Sequence, residues 1–327
     1  MGAFLFSSAN FERAVQSQSK MTRYDKALVL GDVCLASYAA NLSVEETTLD
    51  MCDDLAGNYE RRSESTHWGV RFYYRLQALA IRRLLRRLSS RFQTILAVSE
   101  VDRKALELQV QTHVVTVPLG VNTSKFIPAL TMEDRAGFEI LFVGAMRSWP
   151  NRDGAEWFVT QILPKIRQSE PAAKLYVVGS GAEQLNLAQE GLVVRGFCED
   201  LAEQYRSCDV FVCPLRVGTG IKNKVLEAMA CGCAIVTTSV GIEGLEVGHG
   251  KHVLVADDPE SFAQAVLLLQ DASIRRRLGA EARRFAEERL SLEIVKHDLE
   301  RALSAPPSPL SSSHPFTATS ISNSGTK

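Results

Sequence analysis

Short β-branched runs alternate with longer helical patterns along almost the whole chain of 327 residues. This alternation is typical of β-α-β units, in which a helix connects neighbouring parallel strands. The predicted fold class is therefore α/β with parallel sheets. The candidate strands are Lys26–Gly31, Thr48–Met51, Thr94–Ser99, His113–Pro118, Glu139–Gly144, Lys174–Gly179, Leu192–Gly196, Asp209–Pro214, Ala234–Thr238 and Val253–Ala256.

A polar segment divides these strands into two groups. Asn122–Gly137 carries a proline and has no clear periodicity, which indicates a hinge between two domains. We predict a first domain over residues 1–130, a second over 131–303 and a disordered tail rich in Ser, Thr and Pro over 304–327. Predicted helices of the second domain are Asp153–Gln168, Gly220–Ala230, Pro259–Gln270, Ala272–Leu290 and Leu292–Leu303.

Composition excludes several classes of function. The 37 basic and 38 acidic residues leave a net charge of −1, which does not indicate a nucleic-acid partner. No apolar run reaches the roughly 18 residues of a membrane span, and the amino end lacks a secretory signal. The seven cysteines are then expected to be reduced thiols of a cytoplasmic protein. We expect Cys208, Cys213, Cys231 and Cys233 to be small buried side chains and not zinc ligands.

One predicted helix of the first domain is strongly basic. No acidic residue occurs between Trp68 and Ser99, whereas arginines recur from Arg71 to Arg91. Apolar residues at helical spacing predict that one face packs in the core and that the arginines are solvated. The alternative is a peripheral contact of this helix with an anionic membrane or an anionic acceptor. The apolar face comprises Ile81, Leu84, Leu85, Leu88 and Phe92.

The segment that follows the strand at Asp209–Pro214 is the strongest candidate site. Gly218-Thr219-Gly220 forms a turn that opens onto a predicted helix, and a helix N-terminus suits phosphate. Lys222 and Lys224 lie at that end, where cations are unfavourable for a helix unless an anion binds. Glu227 follows in the second turn and is predicted to accept hydrogen bonds from sugar hydroxyls. The alternative is a plain glycine turn with solvated lysines.

A second candidate loop follows the strand at Glu139–Gly144. Ligands of open parallel sheets bind at the carboxyl ends of strands, where this loop is expected. Arg147 and Arg152 are predicted to reach a diphosphate, and Asn151 to cap the next helix. Solvated arginines are the alternative.

A third glycine turn suggests a different chemistry. Gly179-Ser180-Gly181 follows a strand, and Glu199 lies about 20 residues further on, as in a dinucleotide fingerprint. Gln184 occupies the position of the third glycine, so the G-x-G-x-x-G pattern is incomplete. Nicotinamide chemistry remains an alternative on this motif alone. HExxH, Walker A, G-x-S-x-G and D-x-D motifs are absent from the sequence.

Several motifs resemble those of family 4-type glycosyltransferases with the GT-B architecture. The second domain carries FVGAMRSWPNRDGAEWF, YVVGSG, VVRGFCEDLAEQY and DVFVCPLRVGTGIKNKVLEAMACGCAIVTTSVGIEGL in the order of that family. GTGIKNKVLEAMA is similar to a branch of bacterial sugar transferases associated with exopolysaccharide and PEP-CTERM systems. The first domain adds LDMCDDLAGNY, ILAVSEVDRKAL and VPLGVNTSKF. The resemblance covers roughly residues 20–303 and is strongest over 139–290.

The resemblance implies two Rossmann-like domains, the first of them incomplete. It implies a retaining transfer from a nucleoside-diphosphate sugar to a glycan or lipid-linked acceptor, with the donor held mainly by the second domain. Glu227 matches the second glutamate of the family's E-x7-E motif, which holds the ribose, whereas Thr219 stands in place of the first. Ala145 replaces the usual arginine after the first glycine.

Site residues follow from this resemblance together with the two loops. Lys222 and Arg147 are the candidate catalytic cations, which would stabilise the leaving diphosphate without a metal or cofactor. Asp53 is a candidate sugar contact in the first domain. The candidate donor-binding residues are Glu227, Thr219, Gly220, Ile221, Asn223, Lys224, Gly144, Asn151 and Arg152.

Two other functions compete with an active glycosyltransferase. Four candidate strands precede the hinge and six follow it, so the first domain is short for this family by roughly 60–100 residues. A truncated, non-catalytic nucleotide-sugar-binding relative is therefore one alternative. An NAD-dependent oxidoreductase, based on Gly179 to Glu199, is the other.

Overall fold

The computed structural model describes residues 8–31, 33–39, 42, 44–52, 54–64, 67–129 and 137–304. Strands β1 to β10 span Lys26–Leu30, Glu46–Asp50, Thr94–Ala97, His113–Thr116, Glu139–Val143, Lys174–Val178, Leu192–Arg195, Val210–Cys213, Ala234–Thr237 and Leu254–Val255. Helices α1 to α12 span Ala9–Met21, Val33–Ala39, Leu55–Glu64, Trp68–Ser89, Glu100–Glu107, Trp149–Trp157, Leu163–Ser169, Leu201–Arg206, Asn223–Ala230, Pro259–Leu268, Ala272–Arg289 and Leu292–Ser304.

The strands form two parallel sheets, which confirms the predicted α/β class. The first sheet has the order β1-β2-β3-β4, and the second has the order β10-β9-β8-β5-β6-β7. Every candidate strand coincides with an observed strand, with ends shifted by one or two residues. In the second sheet the chain runs outward from β5 to β7 and then returns to β8, beside β5. This reversal of strand order creates a crevice at the carboxyl ends of β5 and β8, where α/β proteins bind ligands.

The core of the second sheet is built around two buried, largely apolar strands. All residues of β8 and β9 are buried, as expected for strands covered on both faces. Trp157 and Phe158 each meet Phe262 edge to face at 5.8 Å between ring centroids, which fastens α10 beside α6. The crevice strand β8 therefore lies in a tightly packed core.

The helix predicted at Asp153–Gln168 is interrupted. It begins earlier, at Trp149, and a π-helical turn at Phe158–Ile162 separates α6 from α7. Pro164 lies in the first turn of α7 and has no N–H to donate to the preceding turn. A widened turn accommodates that missing hydrogen bond.

The first sheet has a smaller core, to which the basic helix α4 contributes. Ile81, Leu85 and Leu88 of α4 are buried, which confirms the predicted apolar face. Phe92 is buried too, although the helix ends at Ser89.

The two halves of the chain are joined by several contacts. Helix α12 follows the second sheet in sequence but packs its Val295, Leu299 and Ala302 against β3 and the end of β4 in the first half. Arg283 of α11 donates hydrogen bonds to the linker carbonyls of Thr123 and Phe126 at 3.1 and 2.6 Å. Residues 130–136 of the predicted hinge and 305–327 of the predicted tail lie outside the described residues.

Candidate functional site

Three glycine-bearing loops meet at the crevice of the second sheet. A Cβ atom on Gly154 of α6 would lie 2.7 Å from the carbonyl oxygen of Pro214, at the end of β8. A Cβ on Gly179, after β6, would lie 2.1 Å from the carbonyl oxygen of Gly144, after β5. Neither space admits a side chain. Gly154 therefore allows α6 to approach the end of β8, and Gly179 allows the loops after β5 and β6 to approach each other.

The turn after β8 differs from the prediction in where its helix begins. Gly218 and Gly220 adopt φ of 133° and 70°, a conformation that interrupts a right-handed helix. Helix α9 therefore begins at Asn223, three residues later than predicted. Lys222 is the N-cap residue, and its ammonium donates to the carbonyl oxygen of Gly220. The Lys222 side chain does not cap α9, and Val225 N donates to the carbonyl oxygen of Lys222 at 2.8 Å. The two N–H groups before it, of Asn223 and Lys224, lie at the end of the helix that suits an anion.

Lys224 connects the two predicted site loops. Its Nζ donates to Asn151 Oδ1 at 2.5 Å and lies 4.8 Å from the ring centroid of Phe142. Desolvation lowers the pKa of this half-buried lysine, and the neighbouring charge of Lys222 lowers it further. A bound anion would relieve both effects, because it favours the charged form.

Asn151 does not cap the helix as predicted. It lies inside α6, whose N-cap is Ser148, and its Nδ2 donates to the carbonyl oxygen of Ala145 at 3.0 Å. Its amide therefore holds the loop after β5 on one side and Lys224 on the other. The capping prediction was wrong because the helix extends one turn further toward its amino end, where Pro150 suits the first turn.

Glu227 lies one turn into α9 with a partner that sequence reasoning missed. The hydroxyl of Tyr205, on α8, donates to Glu227 Oε2 at 2.8 Å. Burial raises the pKa of the Glu227 carboxyl, while the hydrogen bond from Tyr205 and the charges of Lys125 and Lys224 lower it. The second carboxylate oxygen can therefore accept hydrogen bonds from a ligand.

Arg147 lies in the loop after β5, whereas Arg152 lies in α6. Arg147 and Arg152 are both exposed, and a Cβ on Gly181 would lie 3.2 Å from Arg147 Cγ. Arg147 thus borders the loop after β6, on the same edge as the turn after β8. Arg216 was missed: its guanidinium makes two hydrogen bonds to Asp153, at 2.6 and 3.1 Å, and holds the turn after β8 against α6. An arginine two residues after a proline at the end of a strand does not by itself indicate a site residue in a sequence.

The remaining predicted residues of the turn lie near the first half of the chain. Thr219, Gly220 and Ile221 are half-buried and Asn223 is exposed. A Cβ on Gly244 would lie 3.3 Å from Ile221 Cγ1 and 3.1 Å from Ser99 Cβ, so this loop meets the end of β3. Arg61 of α3 and Glu243 form an ion pair at 3.1 Å across the same boundary. Asp53, the candidate sugar contact, lies outside the described residues.

The structure does not support a dinucleotide site. Gly179-Ser180-Gly181 leads into a single 3-10 turn at Ala182–Gln184 and not into an α-helix, so the phosphate site of a dinucleotide fold is not formed there.

The four cysteines that were considered as zinc ligands are mostly buried. Cys213, Cys231 and Cys233 are buried and Cys208 is half-buried, as expected for structural thiols. Within the described residues, no three His, Cys, Asp or Glu side chains could hold a metal ion. No helix in the described part of the chain is long and apolar enough to span a membrane.

Comparison with known proteins agrees with this architecture. HepE from Anabaena, solved in complex with UDP, has a TM-score of 0.67 at 14% identity and covers 89% of this chain and 81% of its own. Sucrose-phosphate synthase from Thermosynechococcus elongatus has a TM-score of 0.68 at 18% identity and covers 90% of this chain and 77% of its own. The fold is therefore that of the GT-B glycosyltransferases.

In the sequence comparisons, the residues that form the second sheet match one protein family. Residues 137–271 match the model of the family described as Glycosyl transferases group 1, so the crevice lies in a glycosyltransferase domain of that group. A protein of the cps region of Klebsiella pneumoniae is 26% identical over 210 residues, which are 60% of this chain and 52% of that protein. A phosphatidyl-myo-inositol mannosyltransferase of Mycobacterium tuberculosis is 30% identical over 199 residues, which are 56% of this chain and 50% of that protein. The chain spans about half the length of the curated relatives it matches.

Proposed function

We propose that this chain transfers a sugar from a nucleoside-diphosphate donor to a glycan or lipid-linked acceptor with retention of the anomeric configuration. One observation carries the proposal. The uncapped start of α9, Lys224 and Glu227 converge on the crevice of a glycosyl transferases group 1 domain. This combination suits a ligand that carries both phosphate and sugar hydroxyls.

Each part of the crevice suits one part of the donor. The Glu227 carboxylate would accept hydrogen bonds from the ribose, and the diphosphate would lie between the start of α9 and the loop after β5. Lys222, Lys224, Arg147 and Arg152 supply cations there. As the bond between the sugar and the diphosphate breaks, negative charge develops on the leaving phosphate, and fixed cations stabilise it. The acceptor hydroxyl forms the new bond to the sugar and gives its proton to the leaving phosphate, with no metal or cofactor in the step.

The acceptor class is proposed from the relatives. One of them is a protein of the cps region of Klebsiella pneumoniae, and another is named a phosphatidyl-myo-inositol mannosyltransferase. Both names are consistent with a polysaccharide or a lipid as the acceptor of this chain.

Calorimetry with UDP, GDP and NAD tests the proposed donor class. We expect micromolar-range binding of UDP or GDP and no measurable binding of NAD. Tight binding of NAD without binding of either nucleoside diphosphate would contradict the proposal. Transfer or hydrolysis of the donor distinguishes an enzyme from a non-catalytic relative, because the latter would bind the nucleotide without turnover on a broad panel of donors and acceptors.

We also propose that α4 contacts an anionic membrane surface. The amino-terminal half of α4 carries a second apolar stripe that sequence reasoning missed, at spacings of three and four residues. These side chains are 50% to 87% exposed: Trp68 87%, Phe72 63%, Leu76 50% and Leu79 56%. Exposed arginines adjoin and continue the stripe: Arg75, Arg83, Arg86 and Arg87. An exposed apolar stripe beside a basic one suits a helix that lies in the interface of anionic lipids.

Vesicle flotation tests the membrane contact. We expect the chain to bind phosphatidylglycerol vesicles at low salt and not to bind neutral phosphatidylcholine vesicles. Replacing Arg75, Arg83 and Arg86 by glutamine should weaken binding by about 1 kcal/mol for each arginine. Arg82 is left unchanged, because it forms an ion pair with Glu60 at 2.6 Å.

Two further variants separate insertion from charge alone. Trp68→Ser with Phe72→Ser should also reduce binding, because the aromatic rings would enter the interface. Leu108→Ser is the matched control, since this side chain is 81% exposed at the C-cap of α5 and outside the stripe. Equal binding by all variants would show that α4 does not make the membrane contact. Equal binding of the wild type to neutral vesicles would contradict the role of the arginines.

A further inference from the structure

Tyr205, the last residue of the VVRGFCEDLAEQY motif, is a buried side chain without an assigned role in the candidate site. It lies on α8, is 1% exposed, and packs its ring against Phe126 and Phe211 at centroid distances of 6.1 and 5.4 Å. Its hydroxyl donates to Glu227 Oε2 at 2.8 Å and lies 3.2 Å from the carbonyl oxygen of Lys224. A buried hydroxyl with these neighbours has one donor proton, and the charged carboxylate is the stronger acceptor.

We propose that Tyr205 is a positioning residue that holds the Glu227 carboxylate in the orientation that accepts hydrogen bonds from the nucleotide ribose. This inference rests on the proposed function, since it assigns Glu227 to the ribose. The tyrosine occupies one carboxylate oxygen and thereby restricts rotation of the glutamate side chain. The other oxygen then faces the ligand without an entropic cost of ordering at the time of binding.

The Tyr205 ring is held in place by elements other than the helix that carries Glu227. Helix α8 follows β7 at the far side of the second sheet, whereas Glu227 is on α9, which follows β8. Aromatic contacts with the linker residue Phe126 and with Phe211 of β8 fix the ring independently of the hydrogen bond. Removing the hydroxyl alone therefore leaves the packing in place.

The hydrogen bond also affects the protonation of Glu227. The titratable and charged groups around this carboxyl are Tyr205 from α8, Lys224 on α9, Lys125 from the linker and Cys231 at the end of α9. Burial raises the pKa of Glu227, and the Tyr205 hydrogen bond opposes that shift. Without the hydroxyl the pKa rises further, so the carboxylate becomes protonated at a higher pH than in the wild type.

Nucleotide affinity with and without ribose hydroxyls tests the proposal. Calorimetry compares UDP with 2′,3′-dideoxy-UDP, or the GDP pair if the wild type prefers GDP. In Tyr205→Phe we expect UDP binding to weaken by about tenfold, and dideoxy-UDP binding to stay unchanged. A purely structural role would weaken both ligands equally, and that result would overturn the proposal, as would unchanged UDP binding.

The matched control is Tyr176→Phe. Tyr176 also donates to a glutamate, Glu139 Oε1 at 3.3 Å. Glu139, however, is the first residue of β5 and lies at the amino ends of the strands, whereas the crevice lies at their carboxyl ends. This variant should bind UDP as the wild type does. If Glu227→Ala weakens UDP binding and Tyr205→Phe does not, the positioning role fails while the proposed function stands. If the wild type binds neither UDP nor GDP, the proposed function itself fails.

The pH dependence gives a second readout. From mildly alkaline to mildly acidic pH, UDP affinity should begin to fall at a higher pH in Tyr205→Phe than in the wild type. Glu227→Gln serves as the reference, because the pH dependence that remains in it belongs to the ligand phosphate and the lysines. Coincident profiles for Tyr205→Phe and the wild type would contradict the proposed coupling.

Discussion

Replacing Glu227 by alanine is expected to weaken UDP or GDP binding by about 1.5–3 kcal/mol, the typical contribution of a hydrogen bond to a charged group. The loss arises because the carboxylate is the one acidic side chain placed for the ribose in the proposed arrangement. Binding of 2′,3′-dideoxy nucleotides should change far less. Isothermal titration calorimetry at neutral pH measures both effects directly.

The same substitution should change how the stability of the fold depends on pH. Burial raises the pKa of Glu227, so at neutral pH the folded chain carries this carboxylate against a desolvation cost. A group whose folded pKa is raised in this way favours folding at acidic pH and opposes it above the folded pKa. The difference in melting temperature between the wild type and Glu227→Ala should therefore favour the wild type more at acidic than at neutral pH.

A matched control and a contradicting result complete this prediction. Glu203 is exposed on α8, close in the chain to Tyr205, and Glu203→Ala should change neither affinity nor stability. Unchanged UDP and GDP affinities in Glu227→Ala would show that the nucleotide does not bind at α9.

Replacing Lys222 by alanine is expected to lower kcat by about a hundredfold, a typical effect of removing one group that stabilises developing charge. Lys222 is the N-cap of α9, and its ammonium contacts the Gly220 carbonyl, so it is held beside the turn where the leaving diphosphate would lie. A cation there opposes the helix dipole, which a bound diphosphate would compensate. The effect on KM should be smaller, because charge on the leaving phosphate is greatest in the transition state.

Steady-state kinetics of sugar transfer measures this effect, with and without a metal chelator. The proposal expects the same kcat in both conditions for the wild type. Arg147→Ala should act in the same direction, whereas Lys251→Ala, at an exposed turn, is the control. If Lys222→Ala raises KM and leaves kcat unchanged, the lysine binds the donor and does not stabilise the leaving group.

Local sequence patterns accounted for most elements of the fold. Buried strands such as β3, β5 and β8 were predicted because such a strand needs a short apolar run, which is visible in the sequence itself. The helix boundaries were less accurate where a single residue overrides the pattern. Gly220, with φ of 70°, delays α9 to Asn223, and Pro164 interrupts the helix that begins at Trp149.

Contacts between distant residues were not predictable in the same way. Lys224 bonds to Asn151, 73 residues away, and Tyr205 bonds to Glu227 across 22 residues and two different helices. Asn151 was expected to cap its helix because the sequence shows only the residues next to it in the chain and not its distant partner Lys224. The exposed stripe of α4 was missed because apolar residues on a helix look the same whether or not another element covers them.

The sequence by itself determined the α/β class, the strands and the glycine turn that opens the candidate site. These properties depend on hydrophobic periodicity and on backbone freedom, which act over a few neighbouring residues. Only the tertiary structure decided that β5 and β8 lie side by side at the crevice, that Lys224 joins their two loops, and that Tyr205 holds Glu227. Those arrangements depend on strand order and on burial, through which residues distant in the chain come within hydrogen-bond distance.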